Sequence, residues 1–264
     1  MLNNFPGPLI GMVHLDALPG TPQSAHRVEH IAKKAAVEAR MLQEAGFDAV
    51  LVENMHDVPY MRRDVGAEII AAMSACVLCV RAAVRVPVGV QILAGANRAA
   101  IAVANACGGS FIRAEGFHLA TVADEGLLDE ADAGPLLRFR RTIGAERLLI
   151  AVDVMKKHSS HAITSDLDLH AHVKTAQFMG ADAVIVTGSA TGEPVDLHDL
   201  RVVREATKLP VIVGSGATIE SAAQLLRIAD AIIVGSSIKR GGVWSKPIDA
   251  AAARAFVKAA RASM

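Results

Sequence analysis

The chain has 264 residues, of which 52% are hydrophobic and 20% are charged. A disordered chain is excluded, because it would lack the apolar surface whose burial offsets the entropy lost on folding. The 27 basic and 27 acidic residues cancel and only 3% of residues are aromatic, so we expect neither nucleic-acid binding nor attraction to an anionic membrane.

Short aliphatic runs alternate with longer, alanine-rich amphipathic segments along the whole chain, and this pattern predicts strands that alternate with helices. The predicted strands are Leu9–Leu15, Ala49–Asn54, Val88–Leu93, Ser110–Glu115, Leu148–Val154, Ala183–Gly188, Val211–Gly216 and Ala231–Ser236. The predicted helices cover residues near 26–45, 66–83, 97–107, 132–143, 168–179, 196–207, 218–228 and 249–262.

This alternation indicates a parallel sheet with right-handed crossovers, and about eight strand–helix units in such a length are typical of a (β/α)8 TIM barrel. A doubly wound sheet is the competing α/β fold. Its dinucleotide fingerprint is missing, because the Gly214–Ile219 segment has no third glycine, and no P-loop pattern occurs. Since no linker or change in composition interrupts the chain, we predict one barrel domain over residues 1–264.

Alternate residues of a strand face opposite sides, and the two faces of the predicted strands differ in polarity. One face holds aliphatic residues suited to packing under helices: Val50, Val52, Val88, Val90, Ile150, Val152, Val184 and Val186. The other face ends in a polar residue at the carboxyl end of the strand: His14, Glu53, Gln91, Arg113, Glu115, Asp153, Thr187 and Ser215. This arrangement predicts an active-site mouth above a barrel core. For some of these residues the alternative is an ordinary polar plug inside the barrel.

Glycines follow the last two predicted strands, where barrels often bind phosphate. These turns contain Gly214, Ser215 and Gly216 after strand seven, and Gly235 and Ser236 after strand eight. Glycines let the backbone approach a ligand closely, and a helix predicted to begin near residue 218 would present free N–H groups. We interpret the two turns as a phosphate-binding site; the alternative is that the glycines only make tight turns.

Candidate catalytic groups follow strands two and five. Glu53 and Asp153 are the candidates for proton transfer, with an ion pair to Arg113 or to a lysine as the structural alternative. Lys156, Lys157 and His158 come next in the chain. A lysine there would serve as a base, as an imine-forming nucleophile or as a fixed charge on a substrate phosphate. The alternative is a solvated basic loop.

We predict no cofactor and assign no metal ligand in the leading hypothesis. His14, Glu53, Asp153 and His158 are nevertheless of the types that ligate a divalent ion. The segment from His26 to His30 also fits the H-x-x-E-H pattern of inverted zinc peptidases. We interpret that match as chance, in the polar first turn of a helix.

The sequence also bears on the compartment. No stretch approaches the roughly 18 apolar residues that a membrane helix requires, and the N-terminus lacks a basic region followed by an apolar run. Three cysteines cannot complete a disulfide framework. We therefore expect a cytoplasmic protein with no integral membrane association, and a homo-oligomer is left open.

Motifs at several of these positions match a known family. They are Gly11-Met-Val-His14-Leu-Asp-Ala-Leu-Pro-Gly20, Val52-Glu53-Asn54, Asp57-Val-Pro59, Pro87-Val-Gly-Val-Gln91, Phe111-Ile-Arg113-Ala-Glu115, Lys157-His158, Val186-Thr187-Gly188, Thr191-Gly192, Gly214-Ser-Gly216 and Val234-Gly235-Ser236. Over nearly its full length the chain resembles the BtpA family, which includes SgcQ-like proteins. The resemblance implies a role in building or stabilising a photosynthetic membrane complex, or a nucleoside triphosphatase activity. The missing P-loop argues against the second.

Together these observations predict an enzyme of the lyase or isomerase type, acting on a small phosphorylated metabolite such as a sugar phosphate or a phosphoribosyl compound. Its chemistry would be proton transfer or carbon–carbon cleavage. One alternative is a non-catalytic assembly factor that uses the barrel as a binding scaffold. Another is a metal-dependent hydrolase.

Overall fold

The computed structural model describes residues 8–156, 158–188 and 194–262. Within these ranges the chain forms eleven strands, numbered here in chain order. They are β1 (Leu9–His14), β2 (Ala49–Glu53), β3 (Val88–Gln91), β4 (Phe111–Ala114), β5 (Thr121–Ala123), β6 (Gly126–Leu128), β7 (Leu149–Asp153), β8 (Ser159–Ser160), β9 (Ala183–Val186), β10 (Val211–Val213) and β11 (Ala231–Val234).

Eight of these strands close into a parallel barrel, which confirms the predicted fold. Around the barrel the order is β1, β2, β3, β4, β7, β9, β10 and β11, and β11 pairs again with β1. Most strands end earlier than the sequence predicts. β10, for example, ends at Val213 and β11 at Val234, because the chain turns away into the loops of the mouth at these points.

Helices connect the barrel strands and form the outer layer. They are α1 (Val28–Ala45), α2 (Ala67–Ala83), α3 (Asn97–Ala106), α4 (Ala133–Thr142), α5 (Leu169–Phe178), α6 (Leu197–Ala206), α7 (Ala222–Leu226) and α8 (Ala250–Arg261). Helix α7 has five residues and begins at Ala222. The prediction that a helix begins near residue 218 was therefore wrong, because residues 219–221 form a turn ahead of it.

The apolar core has two layers, as the two faces of the strands predict. The aliphatic residues predicted to face the helices, such as Val50 and Val152, are buried in the larger cluster between barrel and helices. A smaller cluster with Ile10, Leu51 and Phe111 fills the barrel interior. Gly89 makes room for Phe111, because a Cβ atom at Gly89 would lie 2.3 Å from the phenyl ring.

A small antiparallel sheet, which the sequence analysis did not predict, lies at the carboxyl end of the barrel. Its order is β6–β5–β8, and β8 comes from the loop after β7 whereas β5 and β6 come from the loop after β4. These strands have two or three residues each, too few to show a periodic pattern. These strands form because segments distant in the sequence pair with each other, as Val122 does with Ser160.

Across the described ranges, no helix is both long enough and apolar enough to span a bilayer.

Candidate functional site

A cavity of about 400 Å³ opens at the carboxyl ends of the barrel strands. Residues from strands and loops all around the barrel line it, including most of those predicted from the sequence. The predicted residues on its wall are His14, Glu53, Gln91, Arg113, Glu115, Lys156, His158, Gly214, Ser215, Gly216, Gly235 and Ser236. The predicted residues Asp153 and Thr187 do not line it, and Lys157 lies outside the described residues.

His14 and Glu53 form a buried pair at the ends of the neighbouring strands β1 and β2. The Nε2 atom of His14 lies 3.4 Å from Oε2 of Glu53, and Nδ1 lies 3.1 Å from the carbonyl oxygen of Trp244. A carbonyl only accepts hydrogen bonds, so Nδ1 carries a hydrogen. The contact of Nε2 with Oε2 of Glu53 places an imidazole nitrogen against a carboxyl group in the cavity wall. This pair can hold a proton and transfer it.

Arg113 on β4 and Asp153 on the neighbouring strand β7 form the second buried pair. The Nε and Nη2 atoms of Arg113 donate to the two carboxylate oxygens of Asp153, each at 2.8 Å. Burial alone would lower the pKa of Arg113, but the paired carboxylate outweighs it and the net pKa is raised. Asp153 therefore holds the Arg113 cation in the cavity wall. The Asp153 side chain itself is only 1% exposed. This geometry favours the ion-pair alternative for Asp153 over proton transfer.

A third charged group places one lysine between two glutamates. The Nζ atom of Lys156 lies 3.3 Å from Oε2 of Glu115 and also donates to Glu125, in the turn between β5 and β6. Burial alone would lower the pKa of Lys156, but the two carboxylates outweigh it and raise the pKa. Lys156 thus remains an ammonium ion, which argues against imine formation and favours its role as a fixed charge.

Glu115 is a buried carboxyl group of the cavity whose pKa is raised above its ordinary value. Burial raises the pKa and the neighbouring carboxylates raise it further, whereas the attraction of Lys156 and Arg113 offsets this only in part. The amide of Gln91 donates to Glu115 Oε1 at 3.4 Å. A buried carboxyl group with a raised pKa, in the same cavity as a histidine–carboxyl pair, is an arrangement used for general acid and base catalysis.

Asn97, at the start of α3, holds Glu115 in place. Its side-chain amide donates to the carbonyl oxygen of Glu115 at 2.8 Å, and its side-chain oxygen accepts from the Glu115 backbone N–H at 3.3 Å. The amide also donates to Asp132 at 2.8 Å. Asn97 is thus a positioning residue that the sequence analysis missed. Its only sequence signal is an asparagine in the first turn after a strand.

The glycine turns after β10 and β11 present backbone donors to the cavity. Within the described residues, the N–H groups of Gly216, Gly235 and Ser236 donate to no acceptor. The side-chain oxygen of Ser215 is buried and has no hydrogen-bond partner in the same part of the chain. Because α7 starts only at Ala222, the Gly216 donor comes from the turn itself, whereas Gly235 and Ser236 lie at the start of a short 3-10 helix, Ser236–Ile238. Free N–H groups in a concave turn attract anions.

Part of the cavity wall is apolar, which the sequence analysis did not predict. Met12, Met55, Val58, Leu93 and Trp244 contribute to it. Tyr60 adds a phenol, whose hydroxyl donates to the carbonyl oxygen of Met55 at 2.8 Å. Burial raises the pKa of Tyr60, and the nearby glutamates raise it further, so it remains protonated. A ligand would therefore meet hydrocarbon as well as charged groups.

The metal alternative is not supported by the position of its predicted ligands. His14, Glu53, Asp153 and His158 do not bring three ligand atoms within metal-binding distance among the residues that the structure describes. Both oxygens of Asp153 accept from Arg113, which withdraws that carboxylate from the set.

A cluster of histidines lies beside the cavity, under the small sheet. The ring centroids of His118 and His172 are 5.8 Å apart, and those of His161 and His172 are 6.1 Å apart. Neither ring nitrogen of His118 has a hydrogen-bond partner within the described ranges. Burial, together with His172, lowers the pKa of His118 to about 4. The folded protein therefore keeps this imidazole neutral under conditions in which the unfolded chain would protonate it.

Stability should consequently depend on pH through His118. Since its folded pKa of about 4 is below the pKa of 6.5 of an unperturbed histidine, its contribution is complete above pH 6.5 and is lost as pH falls from 6.5 toward 4. The full loss is about 3 kcal/mol. Urea unfolding of the His118→Phe variant between pH 4.5 and 7.5 should show a shallower pH dependence than wild type. His170→Gln, an exposed change, should keep the wild-type slope, and an unchanged slope in His118→Phe would contradict the assignment.

Comparison with known proteins supports the fold and reveals the family. The family model of BtpA matches residues 6–262. An uncharacterised mitochondrial protein of Caenorhabditis elegans is 43% identical over 98% of this chain and 94% of its own. The photosystem I biogenesis protein BtpA of Synechocystis sp. is 35% identical over 96% of this chain and 87% of its own.

Solved structures of low sequence identity share the barrel. (S)-3-O-geranylgeranylglyceryl phosphate synthase from Thermoplasma acidophilum, in complex with its substrate sn-glycerol-1-phosphate, matches 99% of this chain and 95% of its own. Its TM-score is 0.60 at 17% identity. Thiamine phosphate pyrophosphorylase from Pyrococcus furiosus matches all of both chains, with a TM-score of 0.58 at 15% identity. At this identity the likeness establishes the TIM-barrel fold, whereas the match to the family model and the two relatives show that the chain belongs to the BtpA family.

Proposed function

We propose that the protein is an enzyme that transfers a proton on a small phosphorylated metabolite. The observation that carries this proposal is the presence, in one cavity, of backbone donors at Gly216, Gly235 and Ser236 that meet no acceptor among the described residues, and of the buried pair His14 and Glu53. The first group suits a phosphate and the second suits a reacting C–H or O–H group. The names of the two solved neighbours described above contain phosphorylated compounds, which supports the same substrate class.

The charges of the cavity suggest the course of the reaction. Glu53, backed by His14, takes a proton from a carbon next to a carbonyl group, and the electron pair of the broken C–H bond moves onto the carbonyl oxygen. The ammonium group of Lys156 and the guanidinium group of Arg113 stabilise the resulting enediolate oxygen. Glu53 then returns the proton to the neighbouring carbon, and Glu115 relays the hydroxyl proton from that carbon's oxygen to the former carbonyl oxygen, so that the enzyme is restored. Such a cycle is an isomerisation; the same enolate reached by breaking a C–C bond gives a lyase.

Replacing Gly235 with alanine tests the phosphate position. A Cβ atom there would lie 3.6 Å from Met12 Cγ and 3.7 Å from His14 Cε1, so the fold accommodates it while the methyl group enters the ligand space. We expect affinity for inorganic phosphate and for sugar phosphates, measured by calorimetry, to fall at least about tenfold, or 1.4 kcal/mol.

The matched control is Gly134→Ala, a glycine-to-alanine change in α4 at a residue that does not line the cavity. It should bind phosphate as wild type does. Thermal melts of both variants separate binding from folding. Equal phosphate affinity in Gly235→Ala and wild type would refute the proposed position.

The name of the Synechocystis relative favours a second candidate, an assembly factor that binds a partner and catalyses nothing. The two candidates differ in what the buried polar pairs do. Complementation of a BtpA-deficient cyanobacterium by a Glu53→Gln variant would favour the assembly factor. Loss of complementation, with the variant still folded, would favour the enzyme.

A further inference from the structure

Outside the cavity, we propose a binding site for a divalent transition metal ion such as Zn²⁺, formed by Asp16, His26 and His30. One carboxylate oxygen and one ring nitrogen from each histidine lie within 4.8 Å of one another. The two imidazole centroids are 4.6 Å apart, with the rings inclined by 34°. His26 lies just before α1 and His30 in its first turn, whereas Asp16 comes from the loop after β1.

The ligand chemistry selects the type of ion. Two imidazoles and one carboxylate suit zinc and its first-row neighbours, whereas magnesium and calcium prefer oxygen ligands alone. Ligands about 2 Å from zinc lie about 3.4 Å apart in a tetrahedron. His26 and His30 are exposed and Asp16 is half-buried, so rotation of these side chains closes the remaining distance. A water molecule completes the coordination, as it does in zinc sites with three protein ligands.

The structure also shows which group the metal would replace. The Lys34 ammonium group pairs with the Asp16 carboxylate, so a cation already stands at this carboxylate. Glu29, the acidic residue of the H-x-x-E-H match, pairs instead with Arg27 at 3.4 Å. The two histidines of that match thus take their third ligand from a loop, which the linear pattern does not contain.

The site lies beside the cavity wall without being part of it, since none of its three residues lines the cavity. The residue before Asp16 is Leu15, whose carbonyl oxygen accepts from His56 Nδ1 at 2.6 Å. The His56 ring in turn packs against Trp244, at 4.9 Å between centroids, and Trp244 lines the cavity. A bound metal ion would fix the start of the β1–α1 loop next to this wall. The proposal does not depend on the proposed enzyme activity.

Calorimetric titration of untagged, chelator-treated protein with zinc chloride tests the site. We expect one equivalent to bind, and His26→Ala and His30→Ala each to weaken binding at least about tenfold. His198→Ala removes a histidine exposed on α6 and should bind as wild type does. Lys34→Met removes the competing cation and should bind zinc more tightly.

Two results would overturn the proposal. Wild-type affinity in both His26→Ala and His30→Ala would show that these histidines are not ligands. Loss of the binding event in Glu53→Gln, with His26→Ala unaffected, would place the metal in the cavity. Melting curves of each variant without zinc verify that all of them are folded.

Discussion

Replacing Asp153 with alanine should lower the free energy of unfolding by about 3–5 kcal/mol. The reason is the partner that it leaves behind. The Arg113 side chain is 6% exposed and its pair of bonds to Asp153 neutralises it. Without Asp153 the guanidinium would remain buried without a carboxylate bonded to it. Within the described residues, its one other hydrogen bond goes to the carbonyl oxygen of Gly214, at 3.3 Å. Urea unfolding followed by circular dichroism measures the loss.

A double variant separates this desolvation effect from a general packing defect. Arg113→Met combined with Asp153→Leu replaces both charges by apolar groups of similar size and should recover most of the lost stability. Glu146→Ala, which breaks the exposed pair with Arg141, should leave the urea midpoint unchanged. A midpoint in Asp153→Ala equal to that of wild type would contradict the account of a buried, mutually dependent pair.

Replacing Glu53 with glutamine should slow catalysis about 100- to 10,000-fold, the range that general acid–base groups contribute. Glutamine keeps the shape of the side chain beside His14 but cannot accept and release a proton as a carboxyl group does. The backbone N–H groups proposed to bind phosphate lie in the turns after β10 and β11, whereas Glu53 is on β2. Binding of inorganic phosphate should therefore persist in this variant. The variant thus separates chemistry from binding.

Hydrogen exchange with solvent measures this reaction class before the substrate is known. Wild-type protein and a set of sugar phosphates and phosphoribosyl compounds are incubated in D2O, and mass spectrometry detects deuterium at carbon. Glu205→Gln, an exposed change on α6, is the control and should exchange at the wild-type rate. Undiminished exchange in Glu53→Gln would remove Glu53 from the proposed mechanism.

The sequence by itself determined the barrel and the end at which the site lies. Both follow from local patterns. Aliphatic runs alternate with amphipathic helices, and within a strand every second residue faces the same side. Val50 and Val152 therefore pack under helices, while His14 and Glu53 share one cavity with the glycine turns. Because parallel strands all run in the same direction, their carboxyl ends lie at one rim of the barrel.

Only the tertiary structure decided which charged groups pair and which face the ligand. Asp153 and Arg113 are 40 residues apart, and their pairing depends on β4 lying beside β7. Lys156 meets Glu125 across 31 residues because the hairpin of β5 and β6 folds over the mouth. A linear pattern contains the candidates for such contacts but not the distances between them. Electrostatic partners act over a few ångströms, and the folded backbone alone sets which side chains come that close.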